Sequence, residues 1–168
     1  DVGLSLLTHR DAGEDGYFLA MVAPRSQVTE QQIAAKEVIF VFDTSGSMYG
    51  EKIERARAAL DYMLARLRPN DLFQVVRFST DVESLFDQGQ SAPASPANIA
   101  RAREFARRFD AAGGTAIEPA LMSAVHTRAQ NDMPRMVVFL TDGMPTVGNT
   151  DPETIVSNVA RESGAAQL

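Results

Sequence analysis

Residues Val38-Ile39-Phe40-Val41-Phe42 are five consecutive apolar side chains, followed without a break by Asp43-Thr44-Ser45-Gly46-Ser47. A strand with one wet face alternates apolar and polar residues. An unbroken run of β-branched and aromatic residues suits a strand covered on both faces, as in a parallel sheet sandwiched by helices. The run therefore commits the chain to a layered α/β arrangement, and it delivers one carboxylate and two hydroxyls to the point where a buried strand ends.

The remaining periodicities agree. Ile53, Ala56, Leu60, Met63, Leu64 and Leu67 recur at helical spacing, with Lys52, Glu54, Arg57, Asp61 and Arg66 on other faces. Pro69-Asn70-Asp71 is a turn, Leu72 to Phe78 a strand, and Val82 to Phe86 alternates as an antiparallel edge strand should. Residues 87–98 read as a surface loop. A helix then carries Ile99, Ala102, Phe105, Ala106 and Phe109, and a second spans about 117–130 with Pro119 in its first turn. Met136 to Thr141 is the next strand, and Asp151-Pro152 starts a last helix as cap and first residue. Strand and helix in alternation predict a Rossmann-like, doubly wound, mostly parallel sheet with one antiparallel edge strand.

Residues 1–35 form a leader strand, Tyr17 to Val22, and a polar connector with a helical turn around Glu30 to Ala35; residues 36–168 form the α/β domain. The sequence starts at Asp1, as a processed piece of a larger parent would, and stops where a further strand is expected, so the fold reads as truncated at its C-terminus. An uncovered sheet edge of that kind favours a dimer or strand exchange between copies.

Composition narrows the partners. A formal charge of -6 gives no electrostatic reason to expect nucleic acid. The absence of cysteine removes disulfides and thiolate metal sites without locating the protein. No apolar run approaches the ~20 residues of a membrane span, and residues 1–16 lack the order of a secretion signal.

Three loops share one chemistry. Asp43-Thr44-Ser45-Gly46-Ser47, Gly113-Gly114-Thr115 and Asp142-Gly143 each sit where a strand ends or a helix begins, on the side of an open α/β sheet where sites form. Together they offer Asp43, Ser45, Ser47, Thr115 and Asp142 as hard oxygen ligands for Mg2+, with Mn2+ or Ca2+ as alternatives, leaving positions for water or a partner's carboxylate. Separately each loop has an ordinary explanation: a capping turn, a helix stop, an Asp-Gly turn. Met48, Tyr49, Gly114 and Met144 are candidates to face a partner, although Met48 equally suits an anchor into the core. The two histidines, His9 and His126, lie apart, Ser45 has no evident general base, and the glycines match no nucleotide-binding pattern. A hydrolase is thus the weakest reading.

These residues resemble the metal-ion-dependent adhesion site of von Willebrand factor type A domains from about residue 36 onward. The segments Tyr17 to Pro24 and Val38 to Met48 are similar to the type A domain of inter-alpha-trypsin inhibitor heavy chains and their bacterial relatives. The resemblance implies that Ser45, Ser47 and Thr115 are hydroxyl ligands, with Asp43 and Asp142 binding directly or through water. It implies a protein or other extracellular ligand offering a carboxylate, and an extracellular, periplasmic or cell-surface setting. It also implies that residues 1–24 are either the trailing edge of a preceding all-β domain or a strand extending this sheet. The alternative function is a scaffold in which the metal only organises loops.

Overall fold

The computed structural model describes residues 3–9, 17–23, 34–87, 89–127 and 133–163, and the chain divides into two compact units, Asp1–Ala34 and Ala35–Leu168. In the smaller unit β1 (Gly3–His9) and β2 (Tyr17–Ala23) pair antiparallel, from Gly3 opposite Ala23 to His9 opposite Tyr17. The mixed composition of residues 1–16 had hidden β1. The leader strand thus joins a two-stranded sheet of its own and does not extend the main one. The turns at Gly13 and Gly16 and the connector, apart from residues 34–36, lie outside the described residues.

The larger unit is built on β3 (Glu37–Asp43), every residue of which is buried. It pairs in parallel with β4 (Leu72–Phe78) on one side and, across the connecting helices, with β7 (Arg135–Leu140) on the other. β5 (Val82–Ser84) runs antiparallel along β4, giving the order β5-β4-β3-β7. The antiparallel edge is as expected, but it ends at Ser84, because the backbone of Leu85 and Phe86 turns to meet Val75 and the buried side chain of Gln74. The expected loop 87–98 also holds a two-residue strand, β6 (Ala92–Pro93), paired with the start of β4.

Helices cover both faces. α1 (Glu51–Leu64) and α2 (Pro96–Arg107) bury Ile53, Leu60, Leu64 and Phe105 against Val38, Phe40, Phe42, Phe73 and Val75. α3 (Ile117–Val125) lays Ala120 and Ala124 on Ile39, Val41, Val76 and Phe78. Successive β3 residues point to opposite faces, so one apolar strand feeds two cores, which is why the five-residue run had to be unbroken. α2 starts earlier than its apolar spacing suggests, because the Ser95 hydroxyl caps Asn98 N–H and Pro96 takes the first position. α4 (Pro152–Glu162) begins as expected, with Asp151 accepting from Thr154 N–H, and packs on α3 through Asn158 and Glu118. Residues 128–130 of the expected third helix lie outside the described ones.

The carboxyl ends of β3, β4 and β7 open onto the same edge, since Phe42 is opposite both Arg77 and Leu140. This parallel register brings residues 43 and 141–142 side by side although nearly a hundred positions separate them.

Candidate metal centre

Asp43 closes β3 and is 0% exposed. One carboxylate oxygen, Oδ1, accepts from Ser45 N–H at 2.7 Å, and Oδ2 accepts from the Thr141 hydroxyl at 2.6 Å. Both donors are neutral, and among the described residues no cationic side chain pairs with this carboxylate. Beyond Asp43 the chain tightens into a single 3₁₀ turn, Gly46–Met48, with Met48 N–H returning to the Ser45 carbonyl. Thr44 donates its N–H and its hydroxyl to the Phe78 carbonyl, pinning the loop to the end of β4.

The hydroxyls continue from there as a chain. Ser45 Oγ and Ser47 Oγ are 3.0 Å apart, and Ser47 donates to Asp142 Oδ1 at 2.8 Å. Since Ser47 has one proton and gives it to the carboxylate, Ser45 donates to Ser47. The other oxygen of Asp142, Oδ2, holds the Lys52 ammonium at 2.5 Å, and Lys52 also donates to the Ser47 carbonyl at 3.2 Å. These hydrogen bonds, Lys52 foremost and Ser47 next, hold the Asp142 carboxyl below its ordinary range.

The third loop is tied on through backbone. Gly46 N–H donates to the Gly113 carbonyl at 3.0 Å and Ala112 N–H to the Thr44 carbonyl at 3.0 Å. Gly113 has φ +81°, and a Cβ there would stand 2.6 Å from Thr80 Oγ1, so both the conformation and the close approach call for glycine. Thr80 Oγ1 accepts from Gly114 N–H, and Thr146 Oγ1 accepts from Thr115 N–H at 2.8 Å. Thr115 itself is buried.

The structure therefore joins Asp43, Ser45, Ser47 and Asp142 in one polar constellation, with Thr115 attached by the Gly46–Gly113 contact two residues away. Tyr49 and Met144 are 81% and 67% exposed beside it, and Gly114 is half-buried. Met48 is a correction. At 2% exposure it packs with Phe42 and Ile53 in the core, because the 3₁₀ turn rotates it under the loop, so it anchors the turn and faces no partner.

Two further residues, Thr141 and Lys52, touch the candidate site. Thr141 orients Asp43, and a hydroxyl residue directly before Asp142 at a strand end was the available signal. Helical spacing places Lys52 on a face of α1 away from the apolar stripe. Its signal is electrostatic: a cation in the first turn of α1 sits at the positive end of the helix, where acidic residues such as Glu51 and Glu54 are favoured.

The donor set fits a hard divalent cation. Two carboxylates and two hydroxyls, those of Asp43, Ser45, Ser47 and Asp142, are linked in one run of hydrogen bonds, the buried Thr115 lies on the third loop, and a cation, the Lys52 ammonium, already lodges on one of the carboxylates. Among the described residues no group of three or more His, Cys, Asp or Glu side chains is placed to hold a metal.

A parallel-centred α/β sheet with a polar, oxygen-lined crest at its carboxyl edge defines the class. The von Willebrand factor type A domain profile matches residues 36–167, and the chain belongs to that family. It is 39% identical over 154 residues to inter-alpha-trypsin inhibitor heavy chain H4 of Homo sapiens, covering 87% of this chain and 16% of that protein. The chain thus spans about a sixth of the length of such relatives. The fold is similar to that of a von Willebrand factor type A protein from Catenulispora acidiphila, with TM-score 0.71 and 20% identity over 96% of this chain and 38% of the other. The pilus adhesin SpaC of Lactobacillus rhamnosus GG shares it with TM-score 0.59 and 19% identity over 87% of this chain and 20% of the other.

Proposed function

We propose that this domain is a non-catalytic binding module that captures an acidic group of its partner through a divalent cation. The observation that carries the reading is Asp43: a wholly buried carboxylate served, among the described residues, by the neutral donors Ser45 N–H and Thr141 Oγ–H. Burying a carboxylate without a cation is costly, and a bound cation would offset that cost. Asp43, Ser45, Ser47, Thr115 and Asp142 would hold Mg2+. The ion supplies an open coordination position that a partner's carboxylate can take in place of water.

The protein's own residues do the rest. Thr141 and the 3₁₀ turn keep Asp43 and Ser45 in place, while Thr80 and Thr146 hold the Thr115 loop by its backbone. Tyr49 and Met144 give the crest an exposed apolar rim for a partner to cover. The loops are already tied together by protein hydrogen bonds, which favours a binding role for the ion over a purely organising one. A hydrolase has little support, since His126 is engaged with Glu162 at 3.2 Å on α4. A secreted or surface setting agrees with relatives that include a pilus adhesin and inter-alpha-trypsin inhibitor heavy chains.

Calorimetric titration of the chelator-treated chain with Mg2+, Mn2+ and Ca2+, beside Asp43→Ala, tests the reading. One saturable site that vanishes in the variant is expected. Undiminished binding by Asp43→Ala, or none by the folded wild type, would overturn it.

A further inference from the structure

Among the described residues Lys52 makes two polar contacts, to Asp142 Oδ2 at 2.5 Å and to the Ser47 carbonyl at 3.2 Å. Both acceptors belong to the loops of the candidate metal centre, and none belongs to the body of α1 on which Lys52 sits. An exposed lysine gains little from one surface carboxylate, and the positive end of a helix repels it. Only the local concentration of oxygens, with Ser47 bound to the other side of Asp142, explains why the ammonium reaches inward. Its side chain is nevertheless 58% exposed, so it can swing into solvent without uncovering core.

Resting on the metal reading above, we propose that Lys52 is a tethered counter-cation that guards the site. In the metal-free protein the ammonium neutralises Asp142 and satisfies the Ser47 carbonyl. The two hydroxyls are meanwhile spent on each other and on Asp142: Ser45 donates to Ser47, and Ser47 to the carboxylate. A divalent cation entering this cage meets the ammonium already seated on Asp142. It therefore has to expel the ammonium, and Asp142 exchanges one cation for another. Lys52 thus sets the threshold concentration of metal and keeps the empty site from exposing an uncompensated carboxylate to cationic surfaces. Among the described residues no cation guards Asp43, and the two acidic positions of one site are treated differently: the deep one is left for the metal and the shallow one is held by a removable side chain.

The test is calorimetric titration with Mg2+ of wild type, Lys52→Met, Lys52→Arg and Asp43→Ala, with the melting temperature in chelator as a second readout. Removing a unit charge ~6 Å from a divalent ion in a water-like medium changes its affinity by about tenfold. Lys52→Met is therefore expected to bind Mg2+ about tenfold more tightly than wild type, and Lys52→Arg to stay near it. In chelator Lys52→Met is expected to melt below wild type, and saturating Mg2+ to close that gap. Equal or weaker binding by Lys52→Met, while wild type binds and Asp43→Ala does not, overturns the guard and leaves the metal site standing. Failure of both wild type and Lys52→Met to bind overturns the guard together with the metal reading.

Discussion

The two ends of β3 both carry buried acids, and they are served in opposite ways. At the amino end the Asp71 carboxylate, 0% exposed, collects Lys36 N–H, Arg68 N–H and the Lys36 ammonium within 3.1 Å, with the Arg68 guanidinium at 3.5 Å. Glu37 beside it pairs with Arg135 at 2.9 Å. At the carboxyl end Asp43 is equally buried and, among the described residues, receives an amide and a hydroxyl. Buried charge that the protein itself neutralises is a clamp. A carboxylate left to neutral donors in the same fold is the position at which the proposed cation would be taken up.

The contrast breaks most sharply at Asp43. Asp43→Asn keeps the shape and lets the Thr141 hydroxyl reverse to accept from the amide, so the metal-free fold should be no less stable by urea unfolding. Mg2+ affinity should fall by at least about a hundredfold, about 3 kcal/mol, measured by calorimetry. A loss of fold stability with metal binding intact would reverse the roles assigned to the two ends.

Asp71→Ala should do the opposite. Leaving the Lys36 and Arg68 groups without their acceptor should cost about 3 kcal/mol in urea unfolding, while Mg2+ affinity in the folded fraction stays within a factor of two of wild type. A parallel drop in metal affinity would show that the ends are coupled through β3.

Gly113→Ala sharpens the geometry of the carboxyl end. The positive φ and the 2.6 Å approach to Thr80 should cost about 1–2 kcal/mol in thermal unfolding, and a displaced Thr115 should weaken Mg2+ binding as well. Unchanged affinity would remove Thr115 from the ligand set.

The smallest effect is in acid. Burial would raise the Asp71 carboxyl, but hydrogen bonds from Arg68 and Lys36 and the Lys36 charge outweigh it and hold it below its ordinary value of 3.8. A depressed acid stabilises the fold above its unfolded value, and this contribution fades as pH falls from 3.8 through the folded value. Melting temperature below about pH 4 should therefore drop less steeply in Asp71→Asn than in wild type; identical slopes would mean that other acids dominate.

Much of the fold is legible in the residues. The apolar run of β3, the strand Leu72–Phe78 and the start of α4 at Asp151 depend on burial pattern and local capping, which are properties of neighbouring positions. The loops of the candidate site were legible for the same reason: each is a short string of oxygen-bearing residues at an element boundary. β1 was not, since a strand whose sequence does not alternate is recognised only through its partner. Met48 could be read as rim or anchor until the sense of one turn of 3₁₀ helix was known.

The sequence by itself determined which atoms are available: a carboxylate at the end of a doubly covered strand, hydroxyls two apart, and a glycine-bounded threonine. Only the tertiary structure decided which atoms meet. The parallel register of β3 and β7 sets Thr141 on Asp43 and Asp142 on Ser47, and the start of α1 beside that loop brings Lys52 to Asp142. Hydrogen bonds and ion pairs act over about 3 Å, so partners 90 or more positions apart are chosen by packing and register, to which local pattern is blind.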